Sequence, residues 1–445
     1  MTNISFTQSI ITLLVGIVLI VILTTKYKVH AFFALLLACL VMGLGIQLSM
    51  PELIATTKSG FGNIIGALGL IIVLGTTLGI VLEHTKCTVV LSNYILRKIG
   101  TKHSPLAMNM TGYVVGLPIF CDSGYIVLNG LNKTMARRTG VSITIMASAL
   151  ATGLYAVHCL IPPHPGAAAA VATLQASFGK VILYGMLTAI PAAYCGYLWS
   201  RYAGNKLPKP PLMDEMDEEN TPKTKLPSIT QAILPVAIPI ILIGIHAFTA
   251  LGNGNTSLIL RILHIMGIPE MALSVGVVLA LCTKRDWKSG ELNPLLRSTV
   301  EKAGEILVII GAGGAFGAIL AQADMGRHFA HSAIIGNLGI LFPFLVSAIL
   351  KTAQGSSSVA IITASAIILP LLPTLGLDDE TGRILCVLAM GAGSMVVSHA
   401  NDSYFWVIAR FSGIGMIPML RVYTMATLIM GVVAITMVYA LSLLL

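Results

Sequence analysis

Charge is what this 445-residue sequence has least of: Asp, Glu, Lys and Arg together make up 10% of it, against roughly 25% in an ordinary soluble protein. That scarcity excludes a water-soluble globular domain. Cysteine pairs are missing as well. Cys39, Cys87, Cys121, Cys159, Cys195, Cys282 and Cys386 are scattered without a C-x-x-C spacing, which argues against a zinc or thiol redox centre and leaves them as small apolar fillers. Phosphate-binding loops, nucleophile elbows and H-E-x-x-H pairs are also missing. The net charge of +9 has no soluble face on which to form a phosphate-binding patch, so nucleic acid is not an expected partner.

What the chain has in abundance is apolar surface. At 56% hydrophobic, its 445 residues supply about 250 apolar positions, whereas ten bilayer-crossing helices of about 20 residues need about 200. Apolar segments run at about 10–23, 30–48, 62–82, 105–131, 141–178 and 181–200, and again at 229–250, 269–283, 305–322, 338–372, 383–411 and 418–445. Nothing basic precedes the first run, and Lys26 and Lys28 follow it. This order predicts an uncleaved first helix with the N-terminus outside. Between the two sets lies a stretch rich in proline and acid, with Pro208, Pro210, Pro211 and Pro222 beside Asp214, Glu215, Asp217, Glu218 and Glu219. Such a composition predicts a solvated cytoplasmic linker over 203–228, dividing a first membrane repeat (1–202) from a second (229–445).

A shift of 238 positions brings Gly66, Ile71, Ile72, Gly75, Gly79 and Leu82 onto Gly304, Ile309, Ile310, Gly313, Gly317 and Leu320. With a drift to about 240, Gly116 meets Gly355 and Gly153 meets Gly393. If 105–131 and 338–372 are hairpins that enter and leave by one face, each half crosses five times, and an odd number inverts the second half. The resulting fold class is an all-α polytopic membrane protein of two inverted repeats, with about ten transmembrane helices, two re-entrant helical hairpins and both termini outside. Charge tests this topology independently. It leaves only Lys58, Lys180, Arg261, Arg327 and Arg383 outside, with Lys351 inside the second hairpin, so 21 of the 27 basic residues face the cytoplasm, as the positive-inside rule requires.

Four places break the apolar pattern at membrane depth, in corresponding positions of the two halves: residues 116–124 and 351–359 at the hairpin turns, and 158–166 and 398–406 within the long segments 141–178 and 383–411. Irregular backbone in a bilayer is tolerated only where it is buried in protein or lines a wet cavity. Helix N-termini freed by such breaks attract an anion. The candidate substrate contacts are Gly355, Ser356, Ser357 and Ser358, whose hydroxyls and N–H groups suit a carboxylate or polyol, with Asn401, His158, His164 and His399 at the breaks. Lys351 can pair with a substrate carboxylate, pair with an acid of the protein, or snorkel to the surface. Asp122 and Asp402 are the acids placed most clearly inside the membrane, where an ionisable group is costly unless paired or functional; they are the candidate proton carriers, or else caps of broken backbone. Glu83, Glu305 and Asp324 stand near span ends, where solvation explains them.

The motifs PIFCDSGYIVL (118–128), H-x-x-x-PPHPG ending at Gly166, AQGSSSVAIIT (353–363) and GAGSMVVSHANDSYFW (391–406) resemble the gluconate permease family, the gluconate:proton symporters of the ion transporter superfamily. The resemblance covers nearly the whole chain. It implies a carrier of the bacterial inner membrane that takes up gluconate or a related sugar acid with protons, and a homodimeric scaffold against which a transport unit moves. Three positions depart from the family pattern: Cys121 stands where a second Phe is expected, Ser123 where an apolar residue is expected, and Ala167 where another proline is expected. They flank the proposed site and so bear on the identity of the sugar acid.

Two rival readings remain at this stage. A carrier of the same fold can couple to sodium held by Asn401, hydroxyls and exposed carbonyls. An intramembrane enzyme would need a metal on His158, His164 and His399, whose spacing does not resemble H-E-x-x-H and beside which no acid stands ready as a general base. No cofactor or metal is expected in the leading reading; its partners are a small carboxylate, protons and the lipid bilayer.

Overall fold

The computed structural model describes residues 6–208, 226–249, 258–284, 286–288, 290–322 and 337–445. The greater part of the expected linker, 209–225, lies outside the described residues, as do Asp324 and Arg327. Among the described residues the chain is helical throughout, with no strand. The first half comprises α1 (Phe6–Thr25), α2 (Ala31–Gly45), α3 (Met50–His84), α4 (Cys87–Ile99), α5 (Ser104–Gly116), α6 (Cys121–Thr139), α7 (Ile143–Leu160), α8 (Pro165–Leu174) and α9 (Phe178–Gly204). The second comprises α10 (Ile229–Thr249), α11 (Leu258–Met266), α12 (Pro269–Cys282), α13 (Leu292–Gln322), α14 (Leu341–Gln354), α15 (Ser357–Ile368), α16 (Glu380–Met395), α17 (Ser403–Ser412) and α18 (Met425–Ser442).

Among the described residues, seven helical segments are long and apolar enough to cross a membrane, including Met50–His84, Phe178–Gly204 and Leu292–Gln322. Four shorter apolar helices accompany them, at Ile11–Thr24, Ala31–Gly45, Pro269–Cys282 and Leu341–Gln354. Large apolar side chains such as Leu70, Ile241 and Ile349 stay exposed on the periphery, which only a lipid environment makes favourable on this scale. The interior differs. Every residue of α7 is buried, so this helix packs against protein and not lipid.

Glycine lets the helices approach this closely. Along the crossing of α3 with α13, a Cβ on Gly60 would run into the Gly314 carbonyl and one on Gly314 into Gly60. The α5–α7 crossing is built the same way, because a Cβ on Gly153 would strike the Asn109 carbonyl. Small residues at such crossings allow backbone-to-backbone packing where no hydrophobic drive separates helix from lipid. Asn109 adds polar glue, its amide donating to the carbonyls of Ala149 (3.0 Å) and Ala193 (3.2 Å) and to Thr152 Oγ1 (3.0 Å).

The four sequence breaks are four helix interruptions. Residues 117–120 separate α5 from α6, 161–164 separate α7 from α8, Gly355 and Ser356 separate α14 from α15, and 396–402 separate α16 from α17. Two have a plain local cause. Pro162, Pro163 and Pro165 remove successive N–H donors at the second break. Gly355 takes the left-handed conformation (φ +83°) that ends α14, a geometry glycine adopts without penalty. Backbone groups freed at 396–402 find side-chain partners: Thr427 Oγ1 accepts from the Ser398 N–H (3.1 Å) and Thr424 Oγ1 donates to the Ser398 carbonyl (2.6 Å).

Candidate functional site

The interruptions bring four helix N-termini to one place. α6 begins after Phe120, α8 after His164, α15 after Ser356 and α17 after Asp402. Ser356 Oγ caps α15 by accepting from the Val359 N–H (3.3 Å), and Asp402 Oδ1 caps α17 by accepting from the Tyr404 N–H (3.0 Å). Between these ends lies a cavity of about 380 Å³, within the range of about 300–1,000 Å³ usual for small-molecule sites. Its wall is made of the first residues of the four helices: Phe120, Cys121, Asp122 and Ser123; Pro165; Ser356, Ser357 and Ser358; and Asp402, Ser403 and Tyr404. Tyr155 and His158 of α7 and Lys302, Glu305 and Ile306 of α13 complete it.

Each helix N-terminus carries roughly half a positive charge and N–H groups without intrahelical partners. Four of them around one cavity make it attractive to an anion, and the serines add hydroxyls that donate or accept. Tyr155 and Tyr404 stack at 5.6 Å between ring centroids. Their hydroxyls are engaged elsewhere, donating to the carbonyls of Ser394 (3.2 Å) and Ala151 (3.4 Å), so they offer the cavity ring surface. Two ionisable side chains keep unused atoms. Asp122 Oδ1 and His158 Nδ1 are buried without a hydrogen-bond partner, while His158 Nε2 lies 3.4 Å from Ser358 Oγ.

The structure divides the residues singled out from sequence into two groups and sets His164 apart. Asp122, His158, Ser356, Ser357, Ser358 and Asp402 line the cavity. Lys351, Gly355, His399 and Asn401 gather instead at the C-terminal end of α14. There Asn401 Nδ2 donates to the Thr352 and Ala353 carbonyls (2.8 and 3.3 Å), and His399 Nε2 lies 3.3 Å from the Thr352 carbonyl. Lys351 is fully buried, its Nζ donating to the Gly355 carbonyl (2.5 Å) and Asp402 Oδ2 (2.6 Å). Of the three roles open to it, pairing with an acid of the protein is the one the structure shows; it does not snorkel, because both partners hold it inside. His164 turns away from the cavity and donates from Nε2 to the Gly116 carbonyl (2.8 Å).

Several wall residues escaped the sequence reading. Tyr155 stands three residues before His158 and therefore on the same helix face, a signal that was there to be used. Glu305, read as a solvated residue at a span end, is indeed exposed, yet it lies at the cavity with Lys302. Nothing in the sequence separates those two roles. Among the described residues no group of three His, Cys, Asp or Glu side chains is placed to hold a metal ion. His158 and His164 have ring centroids 5.0 Å apart, whereas His399 is engaged at the end of α14.

Comparison with known proteins gives a consistent picture. Residues 8–444 match the model of the GntP family permeases. A gluconate permease of Pseudomonas aeruginosa is 32% identical over 439 residues, covering 97% of each chain. The D-serine transporter DsdX of Escherichia coli K12 is also 32% identical with 97% of each chain covered, and the Gnt-II system L-idonate transporter of the same organism is 29% identical, covering 95% of this chain and 98% of its own. Among solved structures, the YdaH transporter of Alcanivorax borkumensis superposes with a TM-score of 0.63 over 93% of this chain and 99% of its own. At 15% identity that likeness shows the fold alone.

Proposed function

The chain belongs to the GntP family of permeases, a transporter family and not an enzyme family, and from that premise we propose that it imports gluconate or a related sugar acid together with protons. The observation that carries this reading is the meeting of four helix N-termini at one serine-lined cavity. A carboxylate fits there because oriented N–H groups and helix dipoles stabilise negative charge without the cost of burying a fixed cation. Ser356, Ser357 and Ser358 at the cap of α15 and Ser403 at the start of α17 take the substrate hydroxyls. The substrates in the names of the relatives have one chemistry in common, a carboxylate on a chain that bears at least one hydroxyl group.

Asp122 carries the coupling proton in this proposal. It lies at the start of α6 on the cavity wall with a buried carboxylate oxygen that no protein group engages, an atom left free to carry a proton. α5 and α6 on one side and α14 and α15 on the other form the two re-entrant hairpins. At about 1.5 Å per residue, the 13 residues of α5 and the 14 of α14 fall short of a hydrocarbon core of about 30 Å, while the helical stretch that continues α15 to Leu375 returns through the membrane. Inverted halves of five crossings each, assembled as a homodimer in the bacterial inner membrane, complete the proposal.

The test is uptake of labelled gluconate into proteoliposomes under an imposed inward proton gradient, with and without a protonophore. Accumulation that collapses with the protonophore is expected. Folded, inserted protein that accumulates D-serine and not gluconate would overturn the sugar-acid assignment, and accumulation indifferent to the protonophore would overturn proton coupling.

A further inference from the structure

Lys351 has no place in the cavity, yet it is a lysine with no exposed surface at all, and its environment is made of oxygen. The ammonium contacts the Gly355 carbonyl at 2.5 Å and Asp402 Oδ2 at 2.6 Å. Ser398 Oγ donates to the same carboxylate oxygen, and the Tyr155 ring lies 5.8 Å from Nζ. A carbonyl at the C-terminal end of a half-helix together with a carboxylate is a hard oxygen set of the kind that binds alkali and alkaline-earth cations. The first half has no such set at the corresponding point. There the carbonyl at the end of α5, on Gly116, takes a hydrogen bond from the imidazole of His164.

We propose that Lys351 is a resident cation: its tethered ammonium occupies, between the end of α14 and the cap of α17, a position that would otherwise bind sodium, and thereby makes the carrier sodium-independent. This rests on the transport reading above for its functional consequence, but the site itself stands on the geometry. The ammonium supplies one positive charge to Asp402 and fixes the end of α14 to the start of α17, the two elements that place Ser356 and Ser403 on the cavity. Its side chain reaches this point from the last turn of α14, so the charge arrives with the fold and needs no ion from solution. Removing the side chain leaves a buried carboxylate and a helix-end carbonyl without a cation, an arrangement that is strongly unfavourable. Sodium restores both the charge and the oxygen coordination; choline is too large to enter.

The experiment compares the thermal unfolding of purified wild type, Lys351→Ala and the double variant Lys351→Ala/Asp402→Ala in sodium chloride and in choline chloride at equal ionic strength. Sodium is expected to raise the Tm of Lys351→Ala in a saturable manner and to leave the wild type and the double variant unmoved. A folded Lys351→Ala whose Tm ignores sodium would overturn the proposal, as would an equal sodium shift in the wild type. A lysine serving only as packing predicts no such rescue. Should Lys351→Ala not yield folded protein, wild-type uptake decides: unchanged transport when choline replaces sodium is the expected result, and sodium-dependent uptake overturns the idea. Failure of the gluconate assay leaves the unfolding experiment intact, so the two readings fall separately.

Discussion

Asp122 and Asp402 face the same cavity but differ in what holds them. Asp402 accepts from the Tyr404 N–H on one oxygen and from Lys351 and Ser398 on the other, whereas Asp122 Oδ1 has no partner. A group that must take up and release a proton in each cycle needs the second condition. Asp122→Asn is therefore expected to abolish gradient-driven accumulation while substrate exchange across the membrane continues, read as net uptake against counterflow in the same vesicles; full accumulation by this variant would remove Asp122 from the coupling role. Asp402→Asn should fail differently. It strips the countercharge from a buried lysine, a loss of about 3–5 kcal/mol by analogy with broken buried pairs, and should show first as a lower Tm and poor yield of folded protein.

Broken helices do at the level of the element what single residues cannot, because a break exposes an N-terminus and a C-terminus with opposite partial charge. In the second half both ends are used: the start of α15 lines the cavity, and the end of α14 is occupied by Asn401, His399 and Lys351. The breaks were legible in the sequence because proline runs and glycine–serine clusters leave few alternatives in an apolar segment. Which end each polar residue serves was not legible. Asn401 and Asp402 are neighbours in sequence and both reach the end of α14, yet only Asp402, the cap of α17, also lines the cavity. Ser356→Ala tests the element rather than the residue. Loss of the cap should cost α15 about 1 kcal/mol, and because that cap forms cavity wall, KM for the sugar acid should rise severalfold with little change in the maximal rate, measured as concentration-dependent uptake.

At the scale of the whole molecule, the sequence made the membrane character plain through composition and the pairing of halves suggestive through glycine spacing. It did not reveal how α13 meets the site, because Lys302 and Glu305 carry the same signal as any solvated pair at the edge of an apolar segment. Their place at the cavity nevertheless bears on orientation. α13 follows a loop containing Lys284 and Lys288, where Lys284 pairs with Glu291, and basic loops of this kind remain on the cytoplasmic side. The cavity, with exposed Lys302 and Glu305 on its wall, would then open to the cytoplasm in this conformation. Cys282, at the end of α12 just before that loop, provides the test, since it is the exposed member of the seven cysteines; Cys195 is half-buried and the other five are buried. A membrane-impermeant maleimide should leave Cys282 unmodified in intact cells and label it in inside-out vesicles, with the signal lost in Cys282→Ser. Labelling from outside intact cells would invert the topology, and with it the direction in which the cavity opens.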